Sequence, residues 1–247
     1  MLEVANERHK SWEGFWRQIS KDGSPALWDV EPERAAALDA QIFGPHLQAD
    51  TTLPLVDVGC GSGAQTVFWA SRVERVLGVD LAAAAITAAR AEHGEHNIDY
   101  RVLDLLEGDE CARLHDEIGD ANLYIRGVLH QLSSAERPAA VSGIARMMGR
   151  RGVLCLVEPA PHHTNLFAGL AARFGQLPPE IARIIEYGII PSMLVPGEIE
   201  SLVQTNDLEI IDGGEHVIHT VRPLPTGEPL EIPASYWLVR SRSHAAG

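Results

Sequence analysis

Three glycines in Val56-Asp-Val-Gly-Cys-Gly-Ser-Gly63 stand at alternate positions, 59, 61 and 63, directly after a short apolar run. With no Cβ in the way, such a turn brings backbone N–H groups close to a ligand, and a helix opening at Ala64 aims its positive end at the same place. Asp80 ends the next apolar run, Val76-Leu-Gly-Val, where its carboxylate can accept hydrogen bonds from both hydroxyls of a ribose. Asp104 closes a third run, Tyr100-Arg-Val-Leu. A carboxylate there can accept from an exocyclic adenine amine, while the following backbone N–H donates to the ring. A glycine-rich turn without a ligand is the plain alternative. The strand before the turn, the helix after it and the acid at the next strand tip together point to a bound nucleoside.

Two nucleosides suit this pattern, a nicotinamide dinucleotide and S-adenosylmethionine (SAM). The spacing is GxGxG and not GxGxxG, since Ser62 and Ala64 follow the second and third glycines. Asp57 precedes the loop, Asp104 adds a third acid, and no Tyr-x-x-x-Lys pair of a short-chain dehydrogenase is present; Lys occurs only at positions 10 and 21. These features favour SAM.

The elements that must position these residues alternate regularly. Apolar runs predict strands at 53–58, 76–80, 98–103, 122–125 and 152–157, separated by helices at 64–71, 82–93, 111–118 and 134–148. Such alternation predicts an α/β fold, a doubly wound and mostly parallel sheet. Residues 208–211 with 217–221, and 236–240, read as sixth and seventh strands, joined by a proline-rich connection over 222–233. Two helices, around 12–19 and 33–43, precede the sheet, so residues 1–50 read as an N-terminal lid and 51–247 as the nucleoside-binding domain. The stretch 159–196 breaks the rhythm with apolar pieces at 166–174 and 181–190 and reads as an inserted helical cap.

From Leu53 to Arg240 the chain resembles the class I SAM-dependent methyltransferases. VDVGCGSG is similar to their first motif, LGVDL to the second-strand acid, RVLDLL to the adenine motif and RGVLCLVEP to their fifth strand. The resemblance implies seven strands in the order 3-2-1-4-5-7-6 with the last strand antiparallel. It also implies that Gly59, Gly61 and Gly63 approach the methionine part of SAM, that Asp80 holds the ribose and Asp104 the adenine, and that Leu81 and Leu105 flank the ring. The backbone near Arg126 and Gly127 would receive the methionine amine. These motifs say little about the acceptor.

Methyl transfer from a sulfonium needs the acceptor held about 3 Å from the methyl carbon and water excluded. A carboxylate is already ionised and needs only orientation, whereas a hydroxyl or an amine must lose a proton to a nearby base. Ligands of open α/β sheets bind beyond the carboxyl ends of the strands. That places His130 and Gln131 after strand four, and Glu158 after strand five, beside an acceptor. Gln18 and Trp16 from the lid and Phe167 from the cap are further candidates, with His130 and Gln18 as the catalytic contacts. A small, largely apolar metabolite is expected, with a fatty-acid-like carboxylate first and a hydroxyl or amine second. His162 and His163 invite a metal reading, but adjacent histidines point apart, so no metal is expected.

Bulk properties bound the rest. A net charge of −14 repels phosphate backbones and disfavours a nucleic-acid partner. No Asn-Pro-Pro-Tyr or Asp-Pro-Pro-Tyr motif follows strand four, where the chain reads Arg-Gly-Val-Leu-His. Three scattered cysteines form no zinc spacing and fit a cytoplasmic protein. The N-terminus lacks a signal core, and no run suits membrane insertion. Two states stay open for the assembly, a single chain and a homodimer. A SAM-binding protein that transfers no methyl group remains the rival from another class.

Overall fold

The computed structural model describes residues 2–94, 98–161, 177–224 and 226–242, with isolated residues 169, 172 and 175. Seven strands form one sheet in the order β3-β2-β1-β4-β5-β7-β6. They are β1 (Leu55–Val58), β2 (Val76–Asp80), β3 (Asp99–Val102), β4 (Asn122–Arg126), β5 (Val153–Pro159), β6 (Leu208–Pro223) and β7 (Pro229–Ser241). β1 pairs in parallel with β2 and β4, β2 with β3, and β4 with β5, while β7 runs antiparallel to both β5 and β6. Eight helices are described: α1 (Leu2–Asp22), α2 (Pro32–Ala49), α3 (Ala64–Ala70), α4 (Ala83–His93), α5 (Gly108–Ile118), α6 (Arg137–Met148), α7 (Pro179–Glu186) and α8 (Glu198–Thr205). The α/β architecture and strand order expected from the sequence are those observed.

The strands are apolar on both faces because both faces are covered. Alternate residues enter different cores. Val56 and Val58 of β1, Leu123 and Ile125 of β4, and Leu154 and Leu156 of β5 pack with Leu114, Ile144, Met147 and Val203 of α5, α6 and α8. Leu55, Tyr124, Cys155 and Val157 point the other way, onto Phe15 of α1, Phe43 of α2, Trp69 of α3 and Ile184 of α7. This period of two puts Asp57 and Arg126, the last polar side chains of β1 and β4, on the same face as Leu55 and Tyr124.

The chain departs from expectation at the hairpin. The connection expected over 222–233 is largely strand: β6 continues to Pro223 and β7 begins at Pro229. Proline supplies no ladder N–H, yet β7 residues before Ala234 lie past the end of β5, which stops at Pro159 opposite Ala234. They need a partner on one side only, and there proline is tolerated. The overhanging hairpin reaches the N-terminal segment, where Val221 N–H donates to Leu27 C=O at 3.0 Å.

Arg137 opens α6 and is fully buried. Its Nε donates to Leu129 C=O at 3.1 Å, Nη1 to Glu198 at 2.6 Å and Nη2 to Ser192 C=O at 2.7 Å. It therefore joins the turn after β4, the strand-free segment before α8 and α8 itself. Replacing it by Met leaves a partly buried carboxylate and two carbonyls without their donor, so R137M should lose about 3 kcal/mol of stability in urea unfolding.

Candidate functional site

A cavity of about 480 Å³ opens at the carboxyl ends of β1 to β4. Its two ends differ in chemistry. One end is lined by Gly59, Asp80, Leu81, Asp104 and Leu105, and the other by Ile181, Ile184, Ile189, Ile218 and Ile232.

The first end is built on the glycine loop. Gly59, Gly61 and Gly63 have φ of 76°, 54° and 85°, in the left-handed region. At Gly61 close approach adds to the backbone demand, because a Cβ there would lie 2.7 Å from the Trp16 ring. Asp80 stabilises the turn: its carboxylate accepts from Gly61 N–H at 3.0 Å and Ala82 N–H at 2.9 Å. Burial raises its pKa to about 6 against those two hydrogen bonds. Asp57 is buried behind it and accepts from the Thr66 hydroxyl at 2.6 Å. Burial, together with the Asp80 charge, raises the Asp57 pKa to about 7. Leu81 and Leu105 both line this end, as do Leu103 and Leu106.

Asp104 is engaged by a residue the sequence reading missed. Arg8 of α1 reaches its two oxygens at 3.2 and 2.9 Å and also binds Glu136 at 2.8 Å. One signal was available: Arg8, Trp12 and Trp16 recur at every fourth position of α1, and all three line the cavity. Gln65 of α3 was missed too. Its amide is buried without a hydrogen-bond partner among the described residues, and the residue lines the cavity.

His130 lies in the short turn Leu129–Gln131 and lines the cavity. Glu158, at the tip of β5, orients it. Its carboxylate accepts from the backbone N–H groups of Val128, Leu129 and His130 at 2.9, 2.7 and 3.2 Å, and lies 2.8 Å from His130 Nδ1. With Glu158 accepting at Nδ1, Nδ1 carries the proton and Nε2 accepts from the Gln131 amide nitrogen at 2.7 Å.

Two expected contacts need restating. Glu158 does not line the cavity; it is fully buried and acts through the turn and His130. Gln18 is also absent from the lining, because its amide is bound to Asp22 one helical turn on, at 2.8 Å. Trp16 and Gln131 do line the cavity. Phe167, His162 and His163 fall outside the described residues.

Comparison with known proteins matches this architecture. The methyltransferase domain family matches over residues 55–152. A SAM-dependent methyltransferase structure from Anabaena variabilis ATCC 29413 is 33% identical, covers 97% of this chain and 95% of its own, and superposes with a TM-score of 0.89. The chain belongs to the SAM-dependent methyltransferases. Magnesium protoporphyrin IX methyltransferase from Synechocystis PCC 6803, solved with bound SAH, shares this methyltransferase's fold at 18% identity, with a TM-score of 0.60 and coverage of 97% and 99%. A structure described under conversion of a disulfide bond into a thioacetal group during echinomycin biosynthesis shares it at 18% identity, with a TM-score of 0.59 and coverage of 81% and 82%. No curated protein matches. SAM is the methyl donor, and the cradle fits it: glycines where side chains would collide, an acid at the β2 tip and leucines on either side of the cavity. No helix among the described residues is long and apolar enough to cross a membrane.

The raised acids give the ligand-free methyltransferase a pH signature. Between pH 3.8 and about 7 the folded protein keeps a proton on Asp57 that the unfolded chain has released, so stability falls as pH rises through that window. Asp80 and Asp29, each raised to about 6, act with the same sign. The melting temperature should be higher at pH 6 than at pH 8, and Asp57→Asn should shrink that difference.

Proposed function

We propose that this methyltransferase O-methylates a small, largely apolar metabolite, with a carboxylate as the receiving group. The observation that carries the reading is the single cavity in which an isoleucine-rich wall adjoins the glycine loop and Asp80. When bound, SAM supplies an electrophilic methyl group on a sulfonium. Asp80 would accept from the ribose hydroxyls, Asp104 together with Arg8 would meet the adenine edge, and Leu81 and Leu105 would sandwich the ring. The backbone of Arg126 and Gly127 would take the methionine amine. Trp12, Trp16 and Trp28 of the N-terminal segment cover the chamber and exclude water. Residues 1–50 serve as the lid, and Leu177, Ile181, Ile184 and Ile189 of the inserted segment border the apolar end. The net charge of −14 supports a small-molecule acceptor over a nucleic acid.

A carboxylate acceptor asks His130 and Gln131 for orientation alone. The Glu158–His130 pair favours a second reading, methylation of a hydroxyl, because Nε2 is the nitrogen that would take the proton once the acceptor hydroxyl displaces the Gln131 amide. The two readings separate in the pH dependence of kcat. With a carboxylic acid, kcat should stay level between pH 7 and 9 and His130→Gln should lower it by less than about tenfold. With a hydroxyl acceptor, a basic limb should depend on His130, and its loss should cost about 10²–10⁴-fold.

The donor side is tested by calorimetry with S-adenosylhomocysteine. Asp80→Ala should weaken binding about 100-fold or more, through two lost charge-assisted hydrogen bonds. Binding to the wild type should weaken as pH falls through about 6, when Asp80 takes up its proton; unaltered affinity in both cases would refute the ribose assignment.

A further inference from the structure

Arg126 closes β4, and its side chain is 93% removed from solvent while lining the cavity. Its Nε and Nη2 are buried and have no hydrogen-bond partner among the described residues. The nearest acid, Asp39 of α2, stands 3.9 Å from Nε, outside hydrogen-bonding distance. That carboxylate is already occupied, since it accepts from the Tyr124 hydroxyl and lies against His216 Nε2 of β6. The N–H bonds of Nε and Nη2 point in parallel from one edge of the guanidinium plane, an edge that matches the two oxygens of a carboxylate. A buried cation with an unsatisfied edge is destabilising until an anion meets it.

Its place in the cavity tells which ligand it serves. Gly59, Asp80 and Asp104 sit at or just past the tips of β1, β2 and β3, on one side of β4. The Asp39 beside Arg126 is tied to β6, on the other side. The walls there are Ile218, Thr220 and Ile232 of the overhanging hairpin and Ile181 and Ile184 of α7.

We propose that the guanidinium of Arg126 is the recognition site for the carboxylate of an apolar acceptor. This rests on the reading of the cavity as an acceptor chamber. One carboxylate oxygen keeps a free lone pair while the guanidinium holds the carboxylate. That lone pair forms the new O–CH₃ bond as the S–CH₃ bond breaks and its electron pair returns to sulfur. Sulfonium and carboxylate become a neutral thioether and a neutral ester, and no proton moves. The ester has lost the charge that Arg126 held, so product binds more weakly than substrate.

The test uses saturated straight-chain carboxylates of eight to twelve carbons and their methyl esters as probes, titrated into protein saturated with S-adenosylhomocysteine. Wild type should bind the acid at least about tenfold more tightly than its ester. Arg126→Met should erase that difference, and Arg126→Lys should restore part of it. Equal binding of acid and ester by wild type overturns the proposal without recourse to any variant. So does an Arg126→Met protein that keeps its acid preference, or one that loses S-adenosylhomocysteine affinity instead, which would assign the guanidinium to the donor. Wild type that binds the acids through Arg126 yet transfers no methyl group to them would leave the anchor standing and overturn carboxylate methylation.

Discussion

The arrangement of the cavity depends on one buried carboxylate. Glu158, at the end of β5, accepts three consecutive backbone N–H groups from the turn after β4 and orients the His130 ring. Those N–H groups belong to the first residues of a short helical turn, which have no partner of their own and attract negative charge. Removing an acid from water is unfavourable unless its oxygens are fully satisfied, and here they are. The result is a rigid joint between two strand tips. It sets where His130 stands, which of its nitrogens carries the proton, and where Ser192, hydrogen bonded to the His130 carbonyl, begins the return toward α8.

The donor end is organised by a related economy of contacts. Asp80 spans the glycine loop and the start of α4 with its two oxygens, so the acid that would meet the ribose also stabilises the turn beside it. Trp16 lies over Gly61 and is held edge-on by Phe15 at 5.6 Å, which itself stacks on Trp28 at 5.9 Å. The segment before the sheet is therefore packed into the same core as Leu55 and Tyr124.

The strand order, the glycine loop and Asp80 were legible in the sequence because each depends on local rules: period-two apolar runs, positive φ, and an acid at a fixed distance. Glu158 and Gln18 were legible as residue types but not in role. Glu158 directly follows an apolar strand core and looks available to a ligand, yet only the fold shows three N–H groups converging on it. Gln18 is four residues from Asp22, a spacing at which helical side chains meet, and that local pairing prevailed. The contacts of Arg8 with Asp104, and of Asp39 with Tyr124 and His216, join residues 85 to 177 positions apart. No short-range pattern encodes such pairs. The hairpin was underestimated because proline argues against a strand unless one edge is known to be free.

The overhang of β6 and β7 has a consequence for how such a chamber diversifies. Ile218, Thr220 and Ile232 lie beyond the last rung shared with β5 and line the cavity, where Ile218 and Ile232 join the core that Leu55 and Tyr124 enter. They are also remote in the chain from the lining residues within 57–105, the proposed donor end. Lengthening, shortening or repainting that ribbon would resize the acceptor end while the methyl source stays in register. A fold of this kind can change its clientele by editing one exposed ribbon.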